Sequence, residues 1–541
     1  MVSFLEKNVF SHPFLSRLGD AVLVLCVLLA GTALPRLVLS GDSPKVDEGQ
    51  YAFAAQWIHH SLVNGRGLPD TGSLSLYPML FSWVFYFDYN PIVALRLLDL
   101  CVALLASFLL YEILKKESGN RVVAVLITLI FTYTMNQYAF IEGGFKNSIM
   151  AAFVPLFLAI RIGQQIVQAD RSEVSNSWWI VGALTALSVI LREPFVSFAV
   201  LGLITVFVAR GWKAALRFIL GGSVTGTLVI GGILLARGGI TETLSAYRDA
   251  GIVFSAVPEG QITANFIRYG LNSIKESSVA LILSVLASLV LIPILVIRRS
   301  RRTASGFLFW LSFIGVALIE PATKIGYIYH FAMTLPGFAG ICALALREVV
   351  REWPNFSWAN KERRDAIALL GVMLSVLWFS LEFSPWVRSC WPVTLETLDI
   401  APDGAWSEIF EESPFLIAAK KIKEVMPENG TLSVNRNYHV FHLLTGHLPP
   451  SNQLASLSSL VFRSDFSVSR IKEALMKCAP DVMLIQPQDD WQTGNSNSQL
   501  LAAIKEAGIY EIVSDIPIVT TFNEHITWRI YRKTKETACL V

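Results

Sequence analysis

The chain has 541 residues, of which 53% are hydrophobic and only 16% charged. Soluble globular proteins carry about 25% charged residues, so an ordinary soluble fold is excluded for most of the length. A net charge of +2 gives no bulk attraction for nucleic acid, and six cysteines with no CxxC or Cys/His spacing argue against a thiolate metal site.

The charge deficit is uneven. Up to about Leu381, long apolar runs alternate with short charged gaps; after Glu382, Lys, Glu, Asp and Asn return at ordinary spacing. This divides the chain into a polytopic α-helical membrane part, 1–384, and a soluble domain of normal size, 385–541. The first apolar run follows Lys7 and Arg17, is too long for a signal peptide and shows no clear cleavage site, so it is expected to stay as an anchor.

A spanning helix needs about 20 apolar residues. About eleven runs suit: 20–40, 91–114, 121–139, 147–164, 178–191, 194–209, 216–236, 279–297, 305–320, 331–347 and 365–383. Runs 178–191 and 194–209 are short, and Pro194 in Arg192-Glu193-Pro194 breaks a helix, so two short helices with a tight turn are expected there. Counting the gaps alternately puts Lys115, Lys116, Arg121, Arg298, Arg299, Arg301 and Arg302 on one side with most other cations. That side is expected to be cytoplasmic, which leaves loop 41–90, loop 237–278 and the C-terminal domain outside, periplasmic in a bacterium. The localisation expected is therefore the plasma (inner) membrane.

Loop 41–90 is more than coil. Tyr51–Val63 places Phe53, Ala54, Trp57, Ile58 and Leu62 at helical spacing, and Pro78–Phe87 is a second aromatic helix too short to span. Both are expected to lie on the membrane surface, with Trp57 at the interface. Downstream, helical patterns (415–425, 438–444, 470–477, 500–506) alternate with strand patterns (431–434, 482–486, 510–513, 526–531), which predicts a small α/β layered domain. It has no glycine-rich phosphate loop. Its cysteines, Cys390, Cys478 and Cys539, could give one disulfide on an oxidising side, but the sequence does not pair them.

Asp47-Glu48 sits where the chain leaves the first apolar run. The pair could simply be solvated; it could supply a general base for a hydroxyl that must lose its proton as it attacks; or it could hold a divalent cation through oxygen ligands. No other cofactor is indicated. Lys146, Arg192, Lys324 and His330 lie at external helix ends. Each is either a snorkelling interface group or a partner for a phosphate at headgroup level. Glu142 is a second acid or the ion-pair partner of Lys146, four residues on. His59 and His60 line an acceptor groove or form the polar face of an interface helix. Arg96 and Asp99, three apart in a spanning run, are expected to pair with each other.

Asp47-Glu48-x-x-Tyr51-Ala52 after a first membrane helix resembles the first external loop of the GT-C membrane glycosyltransferases, in the group of protein O-mannosyltransferases and aminoarabinose transferases. Leu76-Tyr77-Pro78-Met79-Leu80 resembles their Pro-Pro-Leu element, Ala94-Leu95-Arg96-Leu97 the Ala-Arg-Leu that opens their second span, and Tyr329-His330 to Pro336 the start of a late helix. The resemblance implies a GT-C-like fold with an external C-terminal domain. It also implies a polyprenyl-phosphate sugar donor and inverting transfer on the external face to a glycan, lipid or protein acceptor. It makes Asp47 the general base or acceptor-positioning acid, with Glu48 a lesser partner. Tyr51, His59 and Glu142 are the residues expected on the acceptor side. Where the aminoarabinose transferases carry Lys before Pro-Pro-Leu, this chain has Tyr77, which offers a phosphate one hydrogen bond and no charge. A lipid-carrier or solute transporter is the alternative from another class, disfavoured by the lack of an internal repeat. A surface-polysaccharide polymerase or ligase is the other enzymatic reading.

Overall fold

The computed structural model describes residues 24–25, 28–39, 46–65, 67–68, 76–87, 91–137, 149–168, 177–236, 259–298, 301–323, 327–352, 414–435, 439–450, 468–487, 498–519 and 525–535. A π-helical turn, Leu29–Ala33, leads into α1 (Leu34–Leu39). Then come α2 (Val46–Val63) and α3 (Leu76–Phe81), the latter prolonged by a 3-10 turn, Ser82–Tyr86. The long helices follow: α4 (Pro91–Ser118), α5 (Arg121–Met135), α6 (Ile149–Gln168) and α7 (Trp178–Leu191). Next are α8 (Val196–Arg210), α9 (Trp212–Ala236), α10 (Glu259–Glu276), α11 (Ser278–Arg298) and α12 (Arg301–Ala317). The short α13 (Ile319–Thr323) and a 3-10 turn, Ile328–Thr334, lead to α14 (Leu335–Glu352).

Among the described residues, six helices are long and apolar enough to cross a membrane, or seven if the bent pair α10–α11 is one span. The chain is a multi-pass membrane protein. Of the eleven expected runs, 365–383 lies outside the described residues, and 20–40 is described only in part. α5 and α7 form where expected but are short, at 15 and 14 residues. The break between α7 and α8 also falls where expected: Arg192 is extended, and Glu193–Phe195 makes one 3-10 turn before α8. Within loop 237–278, the sequence reading missed α10. Its composition is polar, and it meets α11 at 87°.

The core of this part comes from α4, α5, α6, α12 and α14, with Tyr111, Phe131, Phe153, Phe157, Trp310 and Phe313 fully enclosed. α7 and α9 cross closely: a Cβ on Gly182 would strike the backbone carbonyl of Phe218, and one on Gly221 that of Trp179. Small residues at a crossing let membrane helices touch backbone to backbone. The outward faces of α8, α9 and α11 are apolar and exposed, as at Val208, Leu228 and Leu289, which suits contact with hydrocarbon.

The C-terminal part comprises α15 (Pro414–Val425), β1 (Leu432–Val434), α16 (Val440–Thr445), α17 (Val468–Lys477) and β2 (Val482–Ile485). It ends with α18 (Ser498–Ala507), β3 (Tyr510–Val519) and β4 (His525–Lys533). The strands form one sheet in the order β1-β2-β4-β3; β1 and β2 are parallel, and the other neighbours antiparallel. Alternate residues of β2 face opposite sides. Val482 and Leu484 pack with α15, α16 and Trp528, whereas Met483 and Ile485 pack with α17 and α18. The predicted layered α/β arrangement is therefore present, and each predicted helix and strand falls on an observed one. Cys478 is disulfide-bonded, with its partner outside the described residues. The expected domain boundary, 384/385, also lies outside them.

α2 is enclosed by protein to a degree that the apolar stripe alone did not indicate. Ala52, Phe53, Ala54, Ala55, Trp57 and Ile58 are all buried. A helix that is apolar nearly all round must be covered on more than one side. α3 and α4 cover one side, with Ala52 packed beside Tyr77 and Leu95. α16 of the C-terminal part covers another. Phe53 stacks on His439 at 5.3 Å and on His442 at 4.3 Å, and Trp57 stacks on Phe53 at 5.4 Å. Trp57 is thus an interior residue under the C-terminal part and not an interfacial anchor.

Gly49 makes that contact possible. A Cβ at this position would lie 2.7 Å from Val440 Cα and 2.8 Å from Val440 N, in addition to striking Val440 Cβ. Gly49→Ala is expected to cost about 1–3 kcal/mol of packing and to loosen α16 from α2. Hydrogen exchange on the full chain should rise in 439–445 and 46–58 while α8 and α9 keep their protection; unchanged exchange in both segments would count against the contact.

Candidate functional site

α2 begins at Val46, so Asp47 and Glu48 occupy its first turn. The backbone of Asp47 is helical; its side chain lies outside the described part. Glu48 is fully buried, and both of its oxygens are engaged by Arg96, with Nε to Oε1 and Nη2 to Oε2 each 2.6 Å. A bidentate pair fixes orientation as well as distance. It ties the first turn of α2 to the first third of α4.

Arg96 and Asp99 therefore do not pair with each other. Asp99 is engaged by Arg36 of α1 and accepts a hydrogen bond from the Tyr77 hydroxyl at 3.3 Å. Arg36 Nε donates to Asn136 Oδ1 at 2.5 Å, and Asn136 Nδ2 donates to the Thr132 carbonyl at 2.7 Å. The physical reason is that α1 and α2 approach α4 and bring an opposite charge to each of its two ionic residues. Buried charges in a membrane interior are retained when paired in this way.

A second group stands beside the first. Arg192, in the extended residue after α7, donates from Nη2 to Glu320 Oε1 at 2.6 Å, and His330 Nε2 lies 3.6 Å from the same oxygen. Arg192 Nε is buried with no hydrogen-bond partner among the described residues. Besides Glu320, Tyr51 and Tyr329 act electrostatically on Arg192. Tyr51 meets Tyr77 edge to face at 5.5 Å, and Leu191 packs into the same cluster. Tyr329 stacks on Tyr327 at 5.8 Å. Burial, and then the charge of Asp99, holds the Tyr77 phenol well above its usual range, so it remains a proton donor.

The structure thus brings Tyr51 and Tyr77 together, with the Arg192–Glu320–His330 group on the Tyr51 side of α2. Lys146, Lys324 and Glu142 lie outside the described residues. Tyr77, expected to offer a phosphate one hydrogen bond, directs its hydroxyl to Asp99. His59 stands two turns beyond Tyr51, about 12 Å along the helix, against Tyr86 at 4.3 Å. It is not gathered with the others. Among the described residues, no group of three His, Cys, Asp or Glu could hold a metal ion, and Glu48, one of the two expected ligands, is engaged by Arg96. Sequence reasoning missed Arg36, Asn136 and Glu320. Arg36 and Glu320 are lone charges near the ends of apolar runs, and that position was the available signal.

His439 and His442 close the other side of α2. The His442 Nδ1 faces the His447 carbonyl at 2.8 Å, so Nδ1 carries the proton. Burial pushes His439 down to about 4 and His442 to about 3. Both are neutral in the folded chain, and the unfolded chain protonates them below about 6.5. Their contribution to stability is therefore complete above that pH and falls as the pH drops toward the two lowered values. At about pH 5 the loss is about 2 kcal/mol for a single such imidazole. Asp481, hydrogen-bonded to Lys533 and Thr431 against the opposing effect of its burial, is held below the usual carboxylate range and titrates later. Melting of the wild type should fall between pH 7 and about pH 5, and His439→Phe should flatten that fall; an identical slope in the variant would count against the assignment.

No protein-family model matches the chain, and no curated protein sequence does. Solved structures do match in fold. The chain is similar to ArnT from Cupriavidus metallidurans bound to undecaprenyl phosphate, with TM-score 0.54 and 12% identity over 94% of this chain and 98% of that one. The apo state of the same protein gives TM-score 0.50 and 13% identity over 95% and 98%. The oligosaccharyltransferase of Archaeoglobus fulgidus in the apo form gives TM-score 0.51 and 12% identity over 94% and 74%. Both neighbours are GT-C glycosyltransferases, and the resemblance read in the sequence therefore extends to the fold of nearly the whole chain.

Proposed function

We propose that this chain is a membrane glycosyltransferase that moves a sugar from a polyprenyl-phosphate donor to a glycan, lipid or protein acceptor on the external face. One observation carries the reading: the first turn of α2, with Asp47 in it, is clamped by the Glu48–Arg96 pair beside the Arg192–Glu320–His330 group. That arrangement occurs in a fold similar to an enzyme solved with undecaprenyl phosphate bound.

Asp47 takes the proton of the acceptor hydroxyl as its oxygen attacks the anomeric carbon. The bond from that carbon to the phosphate oxygen breaks, and the polyprenyl phosphate leaves with the electron pair. A single displacement inverts the anomeric centre. Arg192, whose Nε is unpaired among the described residues, is suited to stabilise the developing phosphate charge. Glu320 positions Arg192, and Glu48 anchors Asp47 and does not share its chemistry. The disulfide at Cys478 suits a C-terminal domain in an oxidising compartment, which supports the external placement.

The test is sugar transfer by the purified protein from a panel of polyprenyl-phosphate sugars, wild type beside Asp47→Asn. Glycoside formation lost in the variant is expected. Lipid moved across vesicles with no glycoside from any donor would replace this reading with a transporter.

A further inference from the structure

The other end of α4 carries a cleft that the transfer reaction does not use. Arg96 and Lys115 are about 28 Å apart along the axis of α4, so the cleft stands a membrane thickness away from the site. It has a volume of about 580 Å³ and is lined by Glu112, Lys115, Lys116, Gly119, Arg121 and Arg161, contributed by α4, α5, α6 and the turn between α4 and α5. Four cations face one carboxylate. Glu112 is divided between Lys115 Nζ at 3.0 Å and Arg161 Nη2 at 3.6 Å. The Lys115 ammonium also lies 5.4 Å from the centre of the Tyr111 ring, which holds it in place.

One atom points to a ligand. Arg161 Nη1 is buried, and it donates to no acceptor among the described residues. An unpaired guanidinium N–H costs free energy that an acceptor oxygen would recover. A net excess of three positive charges, the Arg161 guanidinium included, calls for an anion with several acceptor oxygens, as a phosphate has. The cleft sits at the end of α4 and α6, both long and apolar enough to span. Lipid headgroups occupy that level, and basic pockets between spanning helices bind anionic ones.

We infer that this cleft binds a phosphate group, and that its source is the headgroup of an anionic membrane lipid. Arg161 makes the buried contact, and Lys115, Lys116 and Arg121 supply the surrounding field. The site is separate from the proposed donor site and holds whether or not the transfer reaction does.

The experiment uses the full chain in nanodiscs of phosphatidylcholine alone or mixed with phosphatidylglycerol, followed by native mass spectrometry of the released protein. Retention of phosphatidylglycerol over phosphatidylcholine is expected. Lys116→Gln with Arg121→Gln, both at exposed positions, should weaken retention about fivefold per charge removed without loss of folding. Arg161→Gln should weaken it further. Equal retention by wild type and the exposed double variant would overturn the inference. So would occupancy by added inorganic phosphate with no lipid retained, which would make the ligand a free anion.

Discussion

Asp47→Asn is expected to lower sugar transfer by about 10²–10⁴-fold while the melting temperature stays where it is. The amide keeps the size of the carboxylate but cannot accept the acceptor's proton. Position 47 opens α2, where either side chain is compatible with a helix N-terminus, so the substitution has little reason to disturb the fold. Its neighbour provides the contrast. Glu48→Gln removes charge from a fully buried bidentate pair and takes the Glu48 carboxylate away from the Arg96 guanidinium. That variant should melt early, and its residual transfer should track the folded fraction. Two adjacent carboxylates would then separate into one that works on the substrate and one that holds the helix. Full transfer by a folded Asp47→Asn protein would refute the assigned base. A melting temperature unchanged in Glu48→Gln would refute the anchor.

That separation marks how far the sequence could be read. Span-length apolar runs, the break at Arg192-Glu193-Pro194 and the alternation of helix and strand after Pro414 were all legible. They depend on local periodicity and on proline chemistry, which act within a few residues. The position of α2 was not legible. Its apolar stripe suited a membrane surface as well as a protein interior, and only the approach of α16, nearly 400 residues later, decides between them. Partner choice failed for the same reason. Arg96 and Asp99 have the spacing of a helical pair, yet α1 and α2 bring Arg36 and Glu48 against them. Arg192 similarly takes Glu320, 128 residues away, over adjacent Glu193. Long-range packing, and not spacing, selects the counter-charge wherever several helices meet.

Arg96→Met should be among the most damaging single changes in the membrane part. It leaves Glu48, enclosed by protein with its Arg96 partner gone, and removing one member of a buried pair costs about 3–5 kcal/mol. The methionine retains most of the arginine stem, so the loss comes from charge and not from a cavity. Pairing it with Glu48→Leu removes both charges, and an apolar pair of similar volume can be nearly as stable as the ionic one. The double variant should therefore recover much of the melting temperature lost in Arg96→Met, and the cycle of four proteins should yield a large coupling. Activity should behave differently. The ionic pair sets the direction of the first turn of α2, and a displacement of about 1 Å at a reacting group can cost about 10²-fold. The double variant is thus expected to fold well and transfer poorly, with the loss in kcat and little change in KM for the donor. If it recovered stability and full kcat together, the pair would be an ordinary structural bridge, and the position of Asp47 would have to be set by the contact of Gly49 with Val440.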